Sequence, residues 1–300
     1  MCYAVPPSRP HTPPLAMAHA AAASYYDSAD ADAFYTLVWG ASENGHAHVG
    51  IYEPEDGGVS IRAASDRATE VLVAAVSSAR AEAPRRVVDL GAGYGGTART
   101  LARTYPEARV TCVNISAVEN EANVRMNEAE GVADRVSVVL GSFDDVPLDS
   151  ASADTAVSQD AFLHAEDRNA VMAEAARVLE PGGLLVFTDI MQSTPGAHAD
   201  ARMGAVLARL DLKNLGDVAT YKALADANGL AFKRFEDRSE QLARHYGAVL
   251  NELRRCVANQ GGELRISDAY TKRAEEGLAA WIDAANAGTL AWGALTFVRR

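Results

Sequence analysis

A glycine-rich loop is the part of this sequence best suited to hold a ligand. Gly91, Gly93 and Gly96 have the spacing G-x-G-x-x-G and follow an apolar run that ends at Leu90. Glycine lets a backbone approach a ligand closely and adopt torsion angles that are closed to other residues. Between a strand and a helix, this spacing is typical of loops that bind dinucleotides. A nicotinamide cofactor is therefore the first interpretation to test, and the spacing alone does not decide it.

An acidic residue beside the loop separates the candidate cofactors. Asp89 lies two residues before Gly91, at the predicted end of the first strand. A carboxylate there would repel the pyrophosphate of a dinucleotide, whereas it would attract the positively charged methionine moiety of S-adenosylmethionine. Asp89 therefore favours S-adenosylmethionine, and a nicotinamide dehydrogenase becomes the weakest interpretation. The alternative role for Asp89 is only to cap the following turn.

Short β-branched segments alternate with helical segments from Arg86 onward, which is typical of a parallel sheet built from βαβ units. The sequence therefore predicts a doubly wound α/β fold. Strands are predicted at 87–90, 110–114, 136–140, 155–158, 184–189, 230–235 and 290–298. Helices are predicted at 61–83, 97–105, 117–131, 168–179, 203–210, 218–228 and 242–258. The segment Glu180-Pro181-Gly182-Gly183 should end a helix and turn the chain into the next strand.

Composition and charge narrow the class of partner. The net charge is −12 and the basic residues are scattered, which argues against nucleic acid and favours a small-molecule acceptor. No run of eighteen apolar residues occurs, so no membrane-spanning segment is predicted. The three cysteines lie too far apart for a disulfide framework or a zinc site, and Cys112 is expected to be buried. We therefore expect no metal and a reducing, cytoplasmic location.

The first 24 residues differ from the rest of the chain. They contain five prolines, an alanine-rich end, one arginine and no acidic residue. This composition indicates either a disordered arm or a weak organelle transit segment. In the second case the protein would be located in a plastid or another organelle.

Several longer motifs resemble those of a known family. The segments VVDLGAGYGG, SADTAVSQDAFLHAEDR and ARVLEPGGLLVFTD resemble class I methyltransferases. Within that superfamily, YYDSADADAFYTLVWG, VNISAVENEANVRMNEAEG, GSFDDVP and AGTLAWGALTFVRR resemble sarcosine/dimethylglycine N-methyltransferases. The resemblance runs from Tyr25 to the C-terminus.

The resemblance implies a fold and a reaction. The sheet should be mostly parallel with an antiparallel C-terminal strand, in a methyltransferase domain over residues 25–300. A helical N-terminal flap is implied at 25–83 and a helical insertion or lid at 193–228. The implied enzyme moves a methyl group from S-adenosylmethionine to sarcosine, N,N-dimethylglycine or both, which yields dimethylglycine and glycine betaine.

The resemblance also implies which residues hold the cofactor. Where the superfamily usually has an acid for the ribose hydroxyls, this chain has Asn114 and Ile115. Glu119 can accept from a ribose hydroxyl and supply that acid, or it is only a solvated glutamate near a helix start. The full expected set combines the methionine, ribose and adenine sides: Tyr26, Asp89, Gly91, Ala92, Gly93, Asn114, Ile115, Glu119, Ser142, Phe143, Gln159 and His164.

Aromatic residues dominate the expected acceptor site, since ring faces attract a substituted ammonium. His48 and His164 are the expected catalytic groups, because either can accept the proton that an acceptor amine must lose. For the acceptor carboxylate the sequence offers Arg62, Lys213, Arg244 and others without choosing among them. The expected acceptor residues are Tyr25, Trp39, His48, Tyr52, Tyr246 and Trp292.

Two other functions remain open at this stage. The same fold could methylate a different small amine or an isoprenoid carbon, although an isoprenoid diphosphate would want a metal-binding cluster that the sequence does not show. A non-catalytic module that binds S-adenosylmethionine to regulate a partner is the second. The sequence does not distinguish a monomer from a homodimer.

Overall fold

The computed structural model describes residues 24–53, 58–258 and 266–300. Its strands are β1 (Arg86–Leu90), β2 (Arg109–Asn114), β3 (Val136–Leu140), β4 (Ala153–Gln159), β5 (Leu179–Gln192), β6 (Leu230–Asp237) and β7 (Leu290–Arg299). They form one sheet in the order β3-β2-β1-β4-β5-β7-β6. β1 to β5 pair in parallel, and β7 runs antiparallel to both of its neighbours. The predicted doubly wound sheet with an antiparallel C-terminal strand is confirmed.

Helices cover both faces of this sheet. They are α1 (Ala29–Ala33), α2 (Ala41–Asn44), α3 (Ile61–Ala79), α4 (Gly96–Thr104), α5 (Ala117–Ala129), α6 (Arg168–Val178), α7 (Met203–Arg209), α8 (Val218–Ala227), α9 (Glu240–Ala258) and α10 (Asp268–Asn286). A π-helical turn, Phe34–Trp39, joins α1 to α2, and short 3₁₀ turns lie at Phe162–His164 and Ala197–Ala199. The sequence analysis assigned no helix to the α10 segment. The predicted arm at 1–24 lies outside the described residues except for Ser24.

The helical segment after β5 has two parts. α7 packs against α10, whereas α8 packs against α6 and β6. α8 is therefore one of the helices that cover the sheet, and α7 belongs to the helical layer beside it. No helix among the described residues is long and apolar enough to cross a membrane.

The segment Glu180-Pro181-Gly182-Gly183 lies inside β5 rather than before it. Leu179 already pairs with Ala153, and the next pair joins Leu184 to Thr155. The intervening residues bulge from the ladder, and Gly182 has a φ of +79°, which glycine adopts without strain. The turn that the sequence predicts is thus a bulge within the strand, although α6 does end immediately before it.

The start of α5 is fixed by a serine cap. The Ser116 hydroxyl accepts a hydrogen bond from the Glu119 amide at 3.1 Å and donates to the Asp27 carboxylate at 2.5 Å. A serine cap satisfies an amide that the first helical turn leaves without a partner. The same contact attaches the N-terminal segment to the end of β2, which positions Glu119 for the site described below.

Candidate active site

One pocket lies at the carboxyl ends of β1, β2 and β4 and encloses about 1050 Å³, including its open mouth. Ligands of open α/β sheets bind at this edge, where the strand order reverses. All twelve residues expected to hold the cofactor line this main pocket, and so does His48.

The glycine loop forms the floor of the main pocket. The amides of Gly91 and Ala92 donate to the carbonyl of Val113 at 2.8 and 3.2 Å, which ties the loop to β2. A Cβ on Gly91 would lie 2.5 Å from the Cβ of Ala161, so this glycine is needed for packing. A Cβ on Gly93 would meet no atom within 4 Å and would point into open space. The two glycines therefore serve different purposes: Gly91 allows the loop to pack on Ala161, and Gly93 leaves space for a ligand.

Asp89 is a buried carboxylate at the end of β1, with a side chain 1% exposed. The Ala98 amide faces the carboxylate but does not meet hydrogen-bond geometry, so neither oxygen has a hydrogen-bond partner among the described residues. Burial raises its pKa to about 7, an effect that the nearby Ala98 amide and the Arg99 charge partly oppose. A buried carboxylate without a partner is costly, and a ligand ammonium would satisfy it.

Glu119 reaches the same pocket from the first turn of α5. Its carboxylate accepts a hydrogen bond from the Asn114 side-chain amide at 2.9 Å. Glu119 is buried, and burial raises its pKa to about 7. The structure thus places a carboxylate beside Asn114, at the strand end where the sequence itself lacks an acid. The reading of Glu119 as a solvated helix-face residue is wrong.

The far side of the main pocket is built after β3. The Phe143 ring packs edge to face on Phe162, with 5.5 Å between ring centroids, and lies close to Gly91. The Ser142 hydroxyl donates to the Asp144 carboxylate at 2.5 Å. An apolar ring beside a hydroxyl and a carboxylate suits a flat heterocycle with a polar edge.

Tyr26 and His164 form a hydrogen-bonded pair between two cavities. The Tyr26 hydroxyl lies 2.8 Å from Nε2 of His164. Both residues line the main pocket and also a second cavity between the N-terminal segment and the chain after α7. Burial, together with the positive charges of Arg209 and Arg168, lowers the pKa of His164 to about 4. The imidazole is therefore neutral at neutral pH.

His48 belongs to a buried polar cluster on the opposite wall. Its Nε2 lies 3.0 Å from Nδ1 of His46 and 3.1 Å from the Thr69 hydroxyl. Thr69 also donates to the Gln159 side chain at 3.1 Å. Burial lowers the pKa of both histidines. Two ring nitrogens in contact require one proton between them, so the tautomers of His46 and His48 are linked.

The remaining aromatic residues expected at the acceptor site do not line the main pocket. Trp39 donates to the His48 carbonyl at 3.3 Å, and Tyr52 contacts Nδ1 of His245 at 3.1 Å. Tyr25 lines the second cavity, whereas Trp39, Tyr52, Tyr246 and Trp292 line neither cavity. Their direct contact with an acceptor stays a prediction.

Asp160 fastens the N-terminal segment to the sheet. Its carboxylate accepts hydrogen bonds from the Val49 amide at 2.8 Å, the Thr188 hydroxyl at 2.7 Å and the Trp292 indole at 2.8 Å. Asp160 has a φ of +51°, a left-handed conformation that aspartate tolerates better than most residues. We call these three hydrogen bonds the Asp160 clamp, and Trp292 contributes one of them.

Comparisons with known proteins identify the family of this chain. A family model described as a methyltransferase domain matches residues 88–187. A dimethylglycine N-methyltransferase of Parasynechococcus marenigrum is 42% identical over 281 residues, covering 92% of this chain and 94% of that protein. A sarcosine/dimethylglycine N-methyltransferase of Aphanothece halophytica is 40% identical, covering 92% and 95%. A structure assigned as a sarcosine dimethylglycine methyltransferase of Galdieria sulphuraria superimposes with a TM-score of 0.79 at 35% identity, covering 89% of this chain and 97% of that one.

The chain belongs to the sarcosine/dimethylglycine N-methyltransferase family. This family member uses S-adenosylmethionine. The described residues fit that cofactor. The unpartnered carboxylate of Asp89 can take the ammonium group, Glu119 can accept from the ribose hydroxyls, and Gly93 leaves room where any side chain would intrude.

Sequence reasoning did not single out several residues that line the main pocket. Thr97 donates to the Gln159 side chain at 2.7 Å, and Tyr94 donates to Asp32 at 3.0 Å. Asp144 follows Ser142 by two positions and holds its hydroxyl. Tyr94 and Asp144 lie within motifs that the sequence analysis used, and Thr97 directly follows one, so position in those motifs was the available signal.

This methyltransferase should bind S-adenosylhomocysteine, the product of its cofactor, more weakly in mild acid. Burial raises the pKa of Asp89 and of Glu119 to about 7. Each carboxyl is therefore largely protonated at pH 6 and must lose a proton to bind as an anion. We expect about tenfold weaker binding at pH 6 than at pH 8 if Asp89 alone must ionise, and about 100-fold if both must. Calorimetry in buffers of different ionisation enthalpy would show the released protons, and a pH-independent affinity would contradict both roles.

Proposed function

We propose that this protein methylates the amine nitrogen of sarcosine, N,N-dimethylglycine or both, producing dimethylglycine and glycine betaine. The observation that carries the proposal is a continuous series of rings leading away from the main pocket. Tyr26 contacts Tyr35 with 5.7 Å between ring centroids, and Tyr35 contacts Trp39 at 5.4 Å. Ring faces stabilise a substituted ammonium, which is both the protonated acceptor and the betaine product. The names of the relatives support the same acceptors.

Our assignment of roles to the cofactor residues follows the pocket geometry. S-adenosylmethionine supplies, when bound, a methyl group on a positively charged sulfur that leaves as a neutral thioether. Asp89 and Glu119 would hold its ammonium and ribose, while Gly91 and Gly93 would lie against it. Phe143 would contact the adenine, and Ser142 would bind the polar edge of that base. Positioning alone supplies up to roughly 7 to 11 kcal/mol in favourable cases, so no covalent enzyme intermediate is required.

The remaining chemical task is removal of a proton from the acceptor. A protonated amine has no lone pair with which to attack a methyl group. His164 and His48 are the candidate acceptors of that proton, because each imidazole is neutral at neutral pH and has a nitrogen lone pair; burial lowers the pKa of each, so the proton passes on to water and is not retained. Tyr26 orients His164 through their hydrogen bond. Either histidine takes the proton directly or through a water molecule.

A direct assay tests the proposed function. The purified protein is incubated with S-adenosylmethionine carrying a labelled methyl group and with glycine, sarcosine or dimethylglycine. We expect labelled dimethylglycine from sarcosine, labelled betaine from dimethylglycine, or both. Binding of S-adenosylhomocysteine without turnover of any amine would instead favour a regulatory module. Turnover of another amine, with none of these three methylated, would overturn the substrate assignment and keep the methyltransferase.

A further inference from the structure

Arg209, the last residue of α7, is a buried arginine. Its side chain is 7% exposed. A guanidinium cannot lose its proton in a protein, so this group carries a full positive charge with little access to water. Buried charges are costly unless a charge or a set of hydrogen-bond acceptors compensates them. The surroundings of Arg209 therefore decide its role.

The side chain is held in a fixed direction by close packing. Its guanidinium lies 5.6 Å from the ring centroids of both Tyr246 and Trp281. Its aliphatic stem occupies the space beside Gly277 on α10, where a Cβ would come within 2.7 Å of the stem. The absence of a side chain at Gly277 thus makes room for Arg209 and keeps the charge beneath the two rings.

Arg209 differs from the other buried arginines among the described residues. Arg99 pairs with Glu130 at 2.9 Å, and Arg168 donates to the Asn214 carbonyl at 3.1 Å. Arg209 pairs with no carboxylate and donates no hydrogen bond to any of residues 24–53, 58–258 and 266–300. Ring faces are its only compensation there, and they do not use the planar fork of donors that suits a carboxylate.

Arg209 itself lines neither of the two cavities, but the residue that follows it, Leu210, lines the second cavity together with Tyr26 and His164. Tyr246, which stacks on Arg209, contacts Trp39 with 6.3 Å between centroids, and Trp39 continues through Tyr35 to Tyr26. The charge of Arg209 also contributes, after burial, to the lowered pKa of His164. The charge of Arg209 thus acts on both members of the Tyr26–His164 pair, at which the series of ring faces ends.

We propose that Arg209 binds the carboxylate of the acceptor amino acid, while the ring faces beside it surround the substituted amine. This inference rests on the proposed function and adds the feature that selects an amino-acid zwitterion over a neutral amine. The two ends of the acceptor match the two chemistries present, since a bidentate guanidinium suits a carboxylate and ring faces suit a methylated ammonium. The cations that the sequence analysis named have other partners: Arg62 pairs with Glu43, Lys213 pairs with Glu166, and Arg244 donates to the Tyr52 carbonyl at 2.9 Å.

The test compares binding of charged and neutral acceptors to the full-length protein in the presence of S-adenosylhomocysteine. The variant Arg209→Gln removes the charge, and Arg209→Lys keeps the charge without the fork. The control Arg273→Gln removes an exposed arginine that also stacks on a tyrosine, Tyr270, at 5.5 Å. The probes are dimethylglycine, acetate and the uncharged N,N-dimethylglycinamide, and calorimetry and melting temperature report their binding.

We expect Arg209→Gln to weaken dimethylglycine binding by about 10- to 100-fold, the range for a hydrogen bond to a charged group. The affinities for S-adenosylhomocysteine and for the amide should stay within about threefold of wild type. The affinity of Arg209→Lys for dimethylglycine should lie between those of wild type and Arg209→Gln. The affinity of Arg273→Gln should equal that of wild type. Equal loss of dimethylglycine and the amide, or no loss of either, would overturn the carboxylate role.

The design separates failure of this inference from failure of the proposed function. If the wild type turns over none of the amines, the proposed function fails. Acetate binding still tests whether Arg209 forms a carboxylate site. Acetate that raises the melting temperature of wild type and not of Arg209→Gln would support a carboxylate site at Arg209. Acetate that stabilises both proteins equally would overturn it. If Arg209→Gln does not fold, the comparison of wild type with Arg209→Lys on dimethylglycine and its amide decides in the same way.

Discussion

Replacing Asp89 by asparagine should weaken S-adenosylhomocysteine binding on the order of 100-fold and, at the same time, stabilise the ligand-free protein at pH 8. The binding loss follows because a buried charge–charge hydrogen bond to the cofactor ammonium is removed. The stability gain follows because neither Asp89 oxygen has a partner among the described residues. A neutral amide of the same shape is cheaper to bury than an unpaired carboxylate.

The pH dependence of this gain has a definite sign. Burial raises the pKa of Asp89 in the folded protein from 3.8 to about 7. Between these values the folded state holds a proton that the unfolded state has released, so the carboxyl costs more stability as pH rises. The cost is complete above pH 7 and amounts to at most about 4 kcal/mol. The difference in unfolding free energy between Asp89→Asn and wild type should therefore be small at pH 4 and largest at pH 8.

Urea unfolding of the ligand-free proteins at several pH values measures this difference. Asp154→Asn is the matched control, because Asp154 is also buried but accepts from the Arg85 and Arg86 amides at 2.9 and 2.8 Å. That variant should lose stability at pH 8, since it removes a carboxylate with partners. If Asp89→Asn loses stability in the same way, the carboxylate of Asp89 has a compensating partner and the predicted role is wrong.

Gly91→Ala should abolish measurable cofactor binding and cost about 2 to 5 kcal/mol of unfolding free energy. Two costs add at this position. The φ of +79° is a left-handed conformation, which costs a residue with a Cβ about 1 to 2 kcal/mol. The new Cβ would also lie 2.5 Å from the Cβ of Ala161, and such overpacking costs about 1 to 3 kcal/mol. Relief of the clash must move either the loop or the chain after β4, and both line the main pocket.

Gly229→Ala isolates the first of these costs. Gly229 has nearly the same φ, +78°, but a Cβ there would meet nothing within 4 Å, and the residue lies between α8 and β6. We expect it to lose about 1 to 2 kcal/mol in urea unfolding and to bind S-adenosylhomocysteine like wild type. Equal stability losses in the two variants would show that Ala161 yields freely, and retained binding in Gly91→Ala would refute the packing role of this glycine.

The cofactor half of the site was predictable because its signals are local. The glycine spacing, the position of Asp89 and the alternation of strands and helices all lie within short stretches of sequence. Asn114 and Glu119 lie within five residues of each other and meet because Ser116 starts a helix between them. Local spacing fixes such contacts once the element type is known.

The acceptor half was not predictable in the same way. Arg209 is distinguished by the partners that it lacks, and a sequence does not show which arginine is buried without a carboxylate. Its position depends on Gly277 in α10, a helix that the sequence analysis did not assign. The buried residues of that helix, including Leu278 and Trp281, do recur at helical spacing. Their pattern was therefore present, and a glycine in the middle of the segment weakens it.

The position of β7 has a consequence for the order in which the molecule assembles. β6 pairs only with β7 among the described strands, so it cannot join the sheet before β7 is in place. The strands that carry the glycine loop and Asp89 come from one continuous stretch, 86–192, and do not wait for it. The Asp160 clamp, in contrast, is complete only when β7 brings Trp292 into contact. Contacts of such long sequence separation form slowly. We therefore expect the glycine loop and Asp89 to reach their folded positions before the Asp160 clamp forms.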